Sequence, residues 1–228
     1  MALKVLSKRY KKDSEGWDPA KALPLKEAVA RVKQFTPTKF DQSINIAIHL
    51  GVDPKQADQN LRGSVSLPHG IGSTKRVICF CKDEQIAAAK EAGAMKAGGE
   101  DLVKEVEAGW MDFDVAIAGP DMMRVVSRLG KTLGPKGLMP TPKNGTVTPQ
   151  VVQAVREFAA GKVEFRNDAG GNIHAVIGKL SFPPEQLEEN AKAFLDTIMK
   201  IKPASAKGQY VKKVSLAGTM TPGVLVQM

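Results

Sequence analysis

Between Leu129 and Pro149 the chain reads LGKTLGPKGLMPTPKNGTVTP, and neither a long helix nor a central strand can run through it. Pro135, Pro140, Pro142 and Pro149 each fix φ, remove a backbone donor and push the preceding residue out of the α region. Gly130, Gly134, Gly137 and Gly145 are interleaved with them. Leu133, Leu138 and Met139 supply apolar anchors, and proline lowers the entropy that ordering must overcome. The stretch is therefore expected to be a stiff, structured loop. Two roles stay open: a crossover between two elements, or a functional loop presenting Lys131, Lys136 and Lys143.

The segments on either side of this loop differ in style. Ahead of it, from Pro68-His69-Gly70-Ile71-Gly72 onward, strand and helix signals alternate: strand Arg76–Cys81, helices Asp83–Gly93 and Glu100–Gly109, strand Phe113–Ala118, helix Pro120–Leu129. Val77-Ile78-Cys79-Phe80 and Val115-Ala116-Ile117-Ala118 are nearly continuous apolar runs, as parallel strands covered on both faces require. With a helix at Gln150–Ala160, residues 69–160 read as a small three-layer α/β domain. The two ends read differently. Phe40–Leu50 has period two, with Ile44, Ile46, Ile48 and Leu50 on one face and Ser43, Asn45, Ala47 and His49 on the other. Strands Lys162–Asn167 and Asn172–Lys179 flank Asp168-Ala169-Gly170-Gly171, a hairpin signal. A helix starts at Leu23-Pro24, and a longer one runs from Pro183-Pro184 through Ile201 with Leu187, Ala191, Phe194, Leu195 and Ile198 as its stripe. Tyr210–Leu216 and Val224–Val226 close the chain as strands. The fold class expected is an α+β composite domain of residues 1–68 and 161–228, with a three-layer, Rossmann-like α/β domain of residues 69–160 inserted in it.

Charge follows this division. The net charge is +9. Lysines and arginines number 12 against 7 acids in residues 1–68, 12 against 11 in 69–160, and 9 against 6 in 161–228. A basic protein tends to meet nucleic acid or an acidic surface, and here the excess sits in the two ends. Residues 1–20, with Lys8, Arg9, Lys11 and Lys12, read as an arm or frayed terminus, phosphate-binding or merely solvated. No apolar run approaches the roughly 20 residues of a membrane span, and no secretory signal is expected. Cys79 and Cys81 are too close for an ordinary disulfide and read as buried free thiols, which suits a reducing cytoplasm.

Enzymatic signatures are absent: there is no G-x-x-x-x-G-K-[ST], no G-x-G-x-x-G after a strand, no G-x-S-x-G and no H-E-x-x-H. A nucleotide-binding α/β enzyme and a purely protein-binding adaptor remain as competing classes. Three stretches in the composite domain favour nucleic acid. Lys39 and Phe40 open a strand, where a cation meets phosphate and a ring stacks on a base, unless Phe40 belongs to the core. Arg166 with Asn167, Asp168, His174 and Lys179 offers polar groups on one hairpin, or a merely solvated face. Gly218-Thr219-Met220-Thr221-Pro222-Gly223 lets backbone amides approach a ligand, or is simply a turn.

GPKGLMPTPKNGTV, DPKQADQNLRGSVSLPHG (53–70), GWMDFDVAIAGPDMM (109–123) and KVEFRNDAGGNIHAVIGK (162–179), in this order, closely resemble the L-one family of bacterial large-subunit ribosomal proteins. The resemblance spans essentially the whole chain. It implies two domains, one built from both termini, and no enzymatic activity or cofactor. It implies binding to large-subunit ribosomal RNA in the mobile stalk, assistance to the release of exit-site transfer RNA, and repression of the protein's own messenger RNA. It also implies a monomer when off the ribosome, and a cytoplasmic location. Residue by residue, Lys39, Phe40, Ser43, Arg166, Asp168, His174, Lys179, Thr219 and Met220 match the family's RNA-contacting positions. Lys131, Lys136, Lys143 and Thr221 are secondary candidates. The family's Thr-Met-Gly motif departs here, with Thr221 in the place of its glycine.

Overall fold

The computed structural model describes residues 7–15 and 18–227. Of the stretch 1–20 expected as an arm or frayed terminus, residues 1–6 and 16–17 lie outside the described residues, and Lys8–Ser14 form a short helix, α1, capped by the Ser7 hydroxyl, which accepts the Tyr10 N–H at 3.2 Å. A two-residue strand, β1 (Ala22–Leu23), leads to α2 (Leu25–Gln34), which begins behind Pro24 and stops short of Thr36-Pro37. Strand β2 (Ser43–Leu50) shows the expected alternation, but it starts at Ser43, so Phe40 lies outside the ladder. Next come β3 (Arg62–Val65), β4 (Val77–Phe80), α3 (Asp83–Glu91), β5 (Lys96–Gly98), α4 (Glu100–Glu107) and β6 (Val115–Ala118). The three-residue β5 has no apolar run to announce it.

Helical backbone then enters the stretch expected to be loop. Helices α5 (Met123–Val126) and α6 (Gly130–Leu133) are joined by the 3-10 turn Ser127–Leu129. Gly130 costs a helix only about 1 kcal/mol, and the first proline comes at Pro135. The loop proper therefore begins at Gly134. It is pinned where Val147 bridges Ala118 and where the Thr146 hydroxyl accepts the Thr141 N–H at 2.8 Å. Helix α7 (Val151–Ala159), β7 (Val163–Arg166), β8 (Asn172–Lys179), α8 (Pro184–Lys200), β9 (Val211–Gly218) and β10 (Val224–Val226) complete the chain.

One pairing expectation fails. β7 and β8 share only an isolated bridge, Asn167 to Ile173; β7 pairs with β3, and β8 with β2. The 167–171 turn thus links strands of two different sheets.

The molecule is mixed α/β and divides into two compact units. The first contains Met1–Leu61, Leu67–Gly72 and Phe165–Met228; the second contains Arg62–Ser66 and Ser73–Glu164. In the first, a five-stranded sheet has the order β1-β10-β9-β2-β8, and every pair is antiparallel except β1 with β10. One face is covered by α2, which packs on β9 and β10, and α8, which packs on β8; Ala28, Val29 and Val32, and Leu187, Ala191, Phe194 and Ile198, are buried there, as are the even-numbered side chains of β2. Each such side chain, fully buried, is worth about 1.5–3 kcal/mol. The opposite face carries Ser43, Asn45, Ala47 and His49, all half-exposed.

In the second unit, a parallel sheet of order β5-β4-β6 is covered on both faces. Val77, Cys79, Val115 and Ile117 pack with Ala89 of α3 and Val151 and Val155 of α7. Ile78, Phe80 and Ala116 pack with Leu102 and Val106 of α4 and with Val126 and Leu129. Cys79 and Cys81 are free, buried thiols on one face, as expected, and burial pushes both thiol pKa values up.

Candidate nucleic-acid interface

Three stretches far apart in sequence meet at the Ser43 end of β2. Just before that strand, the Thr38 hydroxyl donates to the Phe40 carbonyl at 2.8 Å, while Lys39 and Phe40 project outward and Phe40 is 52% exposed. Asp41 turns aside to bind Ser181, accepting its N–H at 3.1 Å and its hydroxyl at 2.7 Å. Gln42 is fully buried. Its carbonyl accepts the Leu180 N–H at 2.8 Å, its Oε1 accepts the Met220 N–H at 2.9 Å, and its Nε2 has no partner among the described residues.

Ser43 is the junction. Its N–H donates to the Thr219 hydroxyl at 3.1 Å, that hydroxyl donates back to the Ser43 carbonyl at 3.2 Å, and its Oγ accepts from Lys179 Nζ at 2.9 Å. The register explains the meeting: Ser43 lies opposite Lys179, and Ile44 opposite Gly218. Gly218 leaves little room here for a side chain. A Cβ on it would sit 3.1 Å from both Gln42 Oε1 and the Thr221 side chain. Thr221 closes the turn, its hydroxyl accepting the Gly218 N–H at 2.8 Å and donating to the Pro222 carbonyl at 3.2 Å. Arg9 of α1 donates to the Met220 carbonyl at 3.1 Å, leaving the Met220 side chain 49% exposed.

Arg166, Asp168 and His174 form a separate group towards the far end of β8. Asp168 Oδ1 accepts the N–H groups of Gly170 at 2.8 Å and Asn172 at 2.7 Å, and His174 Nε2 lies 3.8 Å from Oδ2. Hydrogen bonds from the Asn172 side chain and then its backbone hold the Asp168 carboxyl below its usual pKa. Arg166 is exposed, with no ion-pair partner among the described residues. His174 lies opposite Ala47, and Lys179 opposite Ser43, so these two side chains stand about 17 Å apart along β8, at about 3.4 Å per residue.

The structure thus brings Lys39, Phe40, Ser43, Lys179, Thr219 and Met220 together and sets Arg166, Asp168 and His174 apart from them. Sequence reasoning missed Gln42 and Lys213, and it named Arg9 only as part of a basic arm, phosphate-binding or merely solvated. Lys213 lies opposite His49, and the alternation Lys213-Val214-Ser215-Leu216 could have placed it on the outer face. The secondary candidates Lys131, Lys136 and Lys143 are exposed in the second unit. Arg124, Arg128 and Lys131 follow one another at helical spacing, all exposed, while Val126, Leu129 and Leu133 are buried. Among the described residues, no group of three or more histidines, cysteines or carboxylates gathers to hold a metal.

What these features define is a mixed α/β protein whose five-stranded sheet has one helix-covered and one solvated face, with Ser43, His174 and Lys179 on the solvated face and Lys39, Phe40, Thr219 and Met220 at its Ser43 end. Sequence comparison supplies the family. The profile of the ribosomal protein L1p/L10e family matches residues 32–222. A Protochlamydia amoebophila protein named large ribosomal subunit protein uL1 is 47% identical over 222 residues, covering 97% of this chain and 94% of that one. Proteins of the same name from Nitratidesulfovibrio vulgaris and Actinobacillus succinogenes are each 51% identical, over 96% and 97% of this chain and 93% and 96% of their own lengths. The chain belongs to the ribosomal protein L1p/L10e family, a family of structural proteins and not of enzymes. The nucleotide-dependent enzyme reading is thereby set aside.

Proposed function

We propose that the chain is a structural component of the large ribosomal subunit and that the solvated face of its five-stranded sheet binds large-subunit ribosomal RNA in the mobile stalk. The observation that carries this reading is the meeting of Lys39, Phe40, Ser43, Lys179, Thr219 and Met220 at one end of that face. The hydrogen bonds of Ser43, Gln42 and Thr219 hold the ligand-facing groups before any ligand arrives, which lowers the ordering cost of binding. Lys39 and Lys179 meet phosphates, the Phe40 ring stacks on a base or ribose, and the Thr219–Met220 turn offers shape complementarity. Arg166, Asp168 and His174 read a more distant part of the same RNA.

The same surface accepts a mimic of that RNA on the protein's own messenger and so represses its translation. The second unit is an inserted Rossmann-like domain, and its exposed Lys131, Lys136 and Lys143, with Arg124 and Arg128, make the secondary contact, including that with exit-site transfer RNA. Off the ribosome the protein is a cytoplasmic monomer.

Filter binding of the stalk segment of large-subunit ribosomal RNA over a series of salt concentrations tests the central claim. Affinity should fall with a log–log slope of about −0.7 to −0.9 per neutralised phosphate. Weak binding that does not distinguish this segment from an unrelated stem-loop would overturn it. Running the protein's own leader RNA in parallel tests the repression.

A further inference from the structure

At the opposite end of the first unit's sheet, where β2 finishes at Leu50, the chain forms a concavity of about 610 Å³ that none of the candidate residues touches. It is a built feature. The β2–β9 register shifts between His49 and Leu50, and the Gly51 N–H donates to the Tyr210 carbonyl at 2.7 Å. A Cβ on Gly51 would stand 2.3 Å from the Gln209 carbonyl oxygen, so only glycine lets the two loops close on each other. One wall is stiffened by the nearly buried Gln59, whose Oε1 accepts the Asp53 N–H at 2.8 Å and whose Nε2 donates to Gln56 Oε1 at 2.8 Å. The other wall carries Ser205, Lys207 and Lys212, and the Lys212 stem lies along Gly51, its Cε 3.3 Å from that same position.

The two lysines of this concavity outnumber its single carboxylate and are not paired with it. Lys207 and Lys212 are exposed and have no ion-pair partner among the described residues. The one carboxylate in the lining, Asp53, is engaged with its own loop, accepting the Lys55 N–H at 3.1 Å. The next residue, Lys213, lies opposite His49 and carries the positive surface onto the solvated sheet face. From Ser43 to His49 that face runs about 20 Å at about 3.4 Å per residue. Across such a span a nucleic-acid strand places several phosphates, at roughly one per 3.4 Å in a duplex.

We infer that the Lys207–Lys212 concavity is a second phosphate anchor, taking the backbone of the same RNA that the Ser43–Thr219 end grips. This rests on the RNA-binding reading above. The bound RNA then lies lengthwise along the sheet, held at both ends, and the far anchor recognises phosphates irrespective of base. Because linked contacts share one ordering cost, losing the far anchor weakens binding without abolishing it.

The experiment compares two charge-neutralised proteins in filter binding of the stalk ribosomal RNA segment across salt concentrations. Lys207→Met with Lys212→Met removes both charges while keeping an unbranched side chain that reaches Cε, the atom that packs on Gly51. Its salt slope should flatten by about 1.4–1.8 for two lost phosphate contacts, with affinity near 0.15 M salt lower by about tenfold. Lys39→Gln with Lys179→Gln serves as the reference for the near end. If the far-end variant binds with unchanged slope and affinity while the near-end variant weakens, the second anchor is overturned and the RNA-binding reading stands. If neither variant changes binding, both are overturned. A second readout needs no loss of charge: a hydroxyl-radical-generating iron chelate attached through Ser205→Cys should cut the bound RNA at sites separate from those cut from Thr38→Cys. The buried Cys79 and Cys81 leave the introduced thiol as the reactive one. Absence of cutting above the unattached reagent from position 205, with cutting from 38, would also overturn the second anchor.

Discussion

Phe40 shows how a single ring can be misplaced by sequence parity. Counting back in twos from Ile48, Ile46 and Ile44 puts position 40 on the core side, yet the ring is 52% exposed while Gln42, at the same parity, is fully buried. The reason is that the ladder begins at Ser43 and the Thr38 hydroxyl bends the preceding segment by holding the Phe40 carbonyl. One exposed apolar side chain is ordinary, but here Phe40 and Met220, 52% and 49% exposed, are left in solvent at the same end of the sheet, and grouped exposure is the informative kind. Phe40→Ala is expected to weaken RNA binding by about 1–3 kcal/mol, the worth of one stacked base, while changing folding stability by no more than about 0.5 kcal/mol. Equal losses in a binding isotherm and a urea melt would instead make the ring structural. Thr221 is the second residue where only the coordinates decide. Among the described residues no non-glycine has positive φ, so this turn makes no use of a glycine's freedom at 221. The threonine instead contributes a hydroxyl that ties the turn to Gly218.

At the scale of elements, the apolar signals were the reliable ones. The α8 stripe, the alternation in β2 and the continuous runs of β4 and β6 all come from which side chains must leave water, and burial follows them except in α8, where Leu195 is only half-buried and Asn190 is buried instead. What could not be read was pairing. The hairpin signal at 168–171 marks a genuine turn, but a turn motif specifies only its own few residues, and the partners of β7 and β8 are set by longer-range packing. Asn190 illustrates the same limit. It lies in the apolar stripe of α8, fully buried, and it takes the His69 N–H at 3.1 Å while donating to the Gly70 and Ile177 carbonyls at 2.9 and 2.8 Å. It therefore ties the 67–72 segment to the helix and to β8. Asn190→Ala leaves the Ile177 carbonyl unpaired in the interior and releases the partly exposed His69 N–H and Gly70 carbonyl, and should cost about 1–3 kcal/mol. The urea midpoint should drop with an unchanged m-value; a midpoint within error of the parent would mean the segment is held by other means.

Across the whole molecule, charge is distributed as the candidate residues are. The first unit carries 19 lysines and arginines against 12 acids, the second 14 against 12. Neutralising Lys39, Arg166 and Lys179 together should therefore reduce affinity for the stalk RNA segment more, and flatten its salt slope more, than neutralising Lys131, Lys136 and Lys143. The reverse order in a salt titration would move the main grip to the second unit. By itself the sequence determined the family, the contrast in style between the middle of the chain and its ends, and most of the core, because motifs and hydrophobic periodicity are local and survive without coordinates. The proline-rich stretch was legible as a barrier to long elements, although helix persists to Leu133, since only Pro135 onward forbids it. Tertiary structure alone decided which candidates share a place. Residues 39–43, 179 and 219–220 become neighbours through the antiparallel register of β2 with β8 and β9. Register depends on how three strands satisfy one another's hydrogen bonds at once, a condition no single stretch of sequence contains.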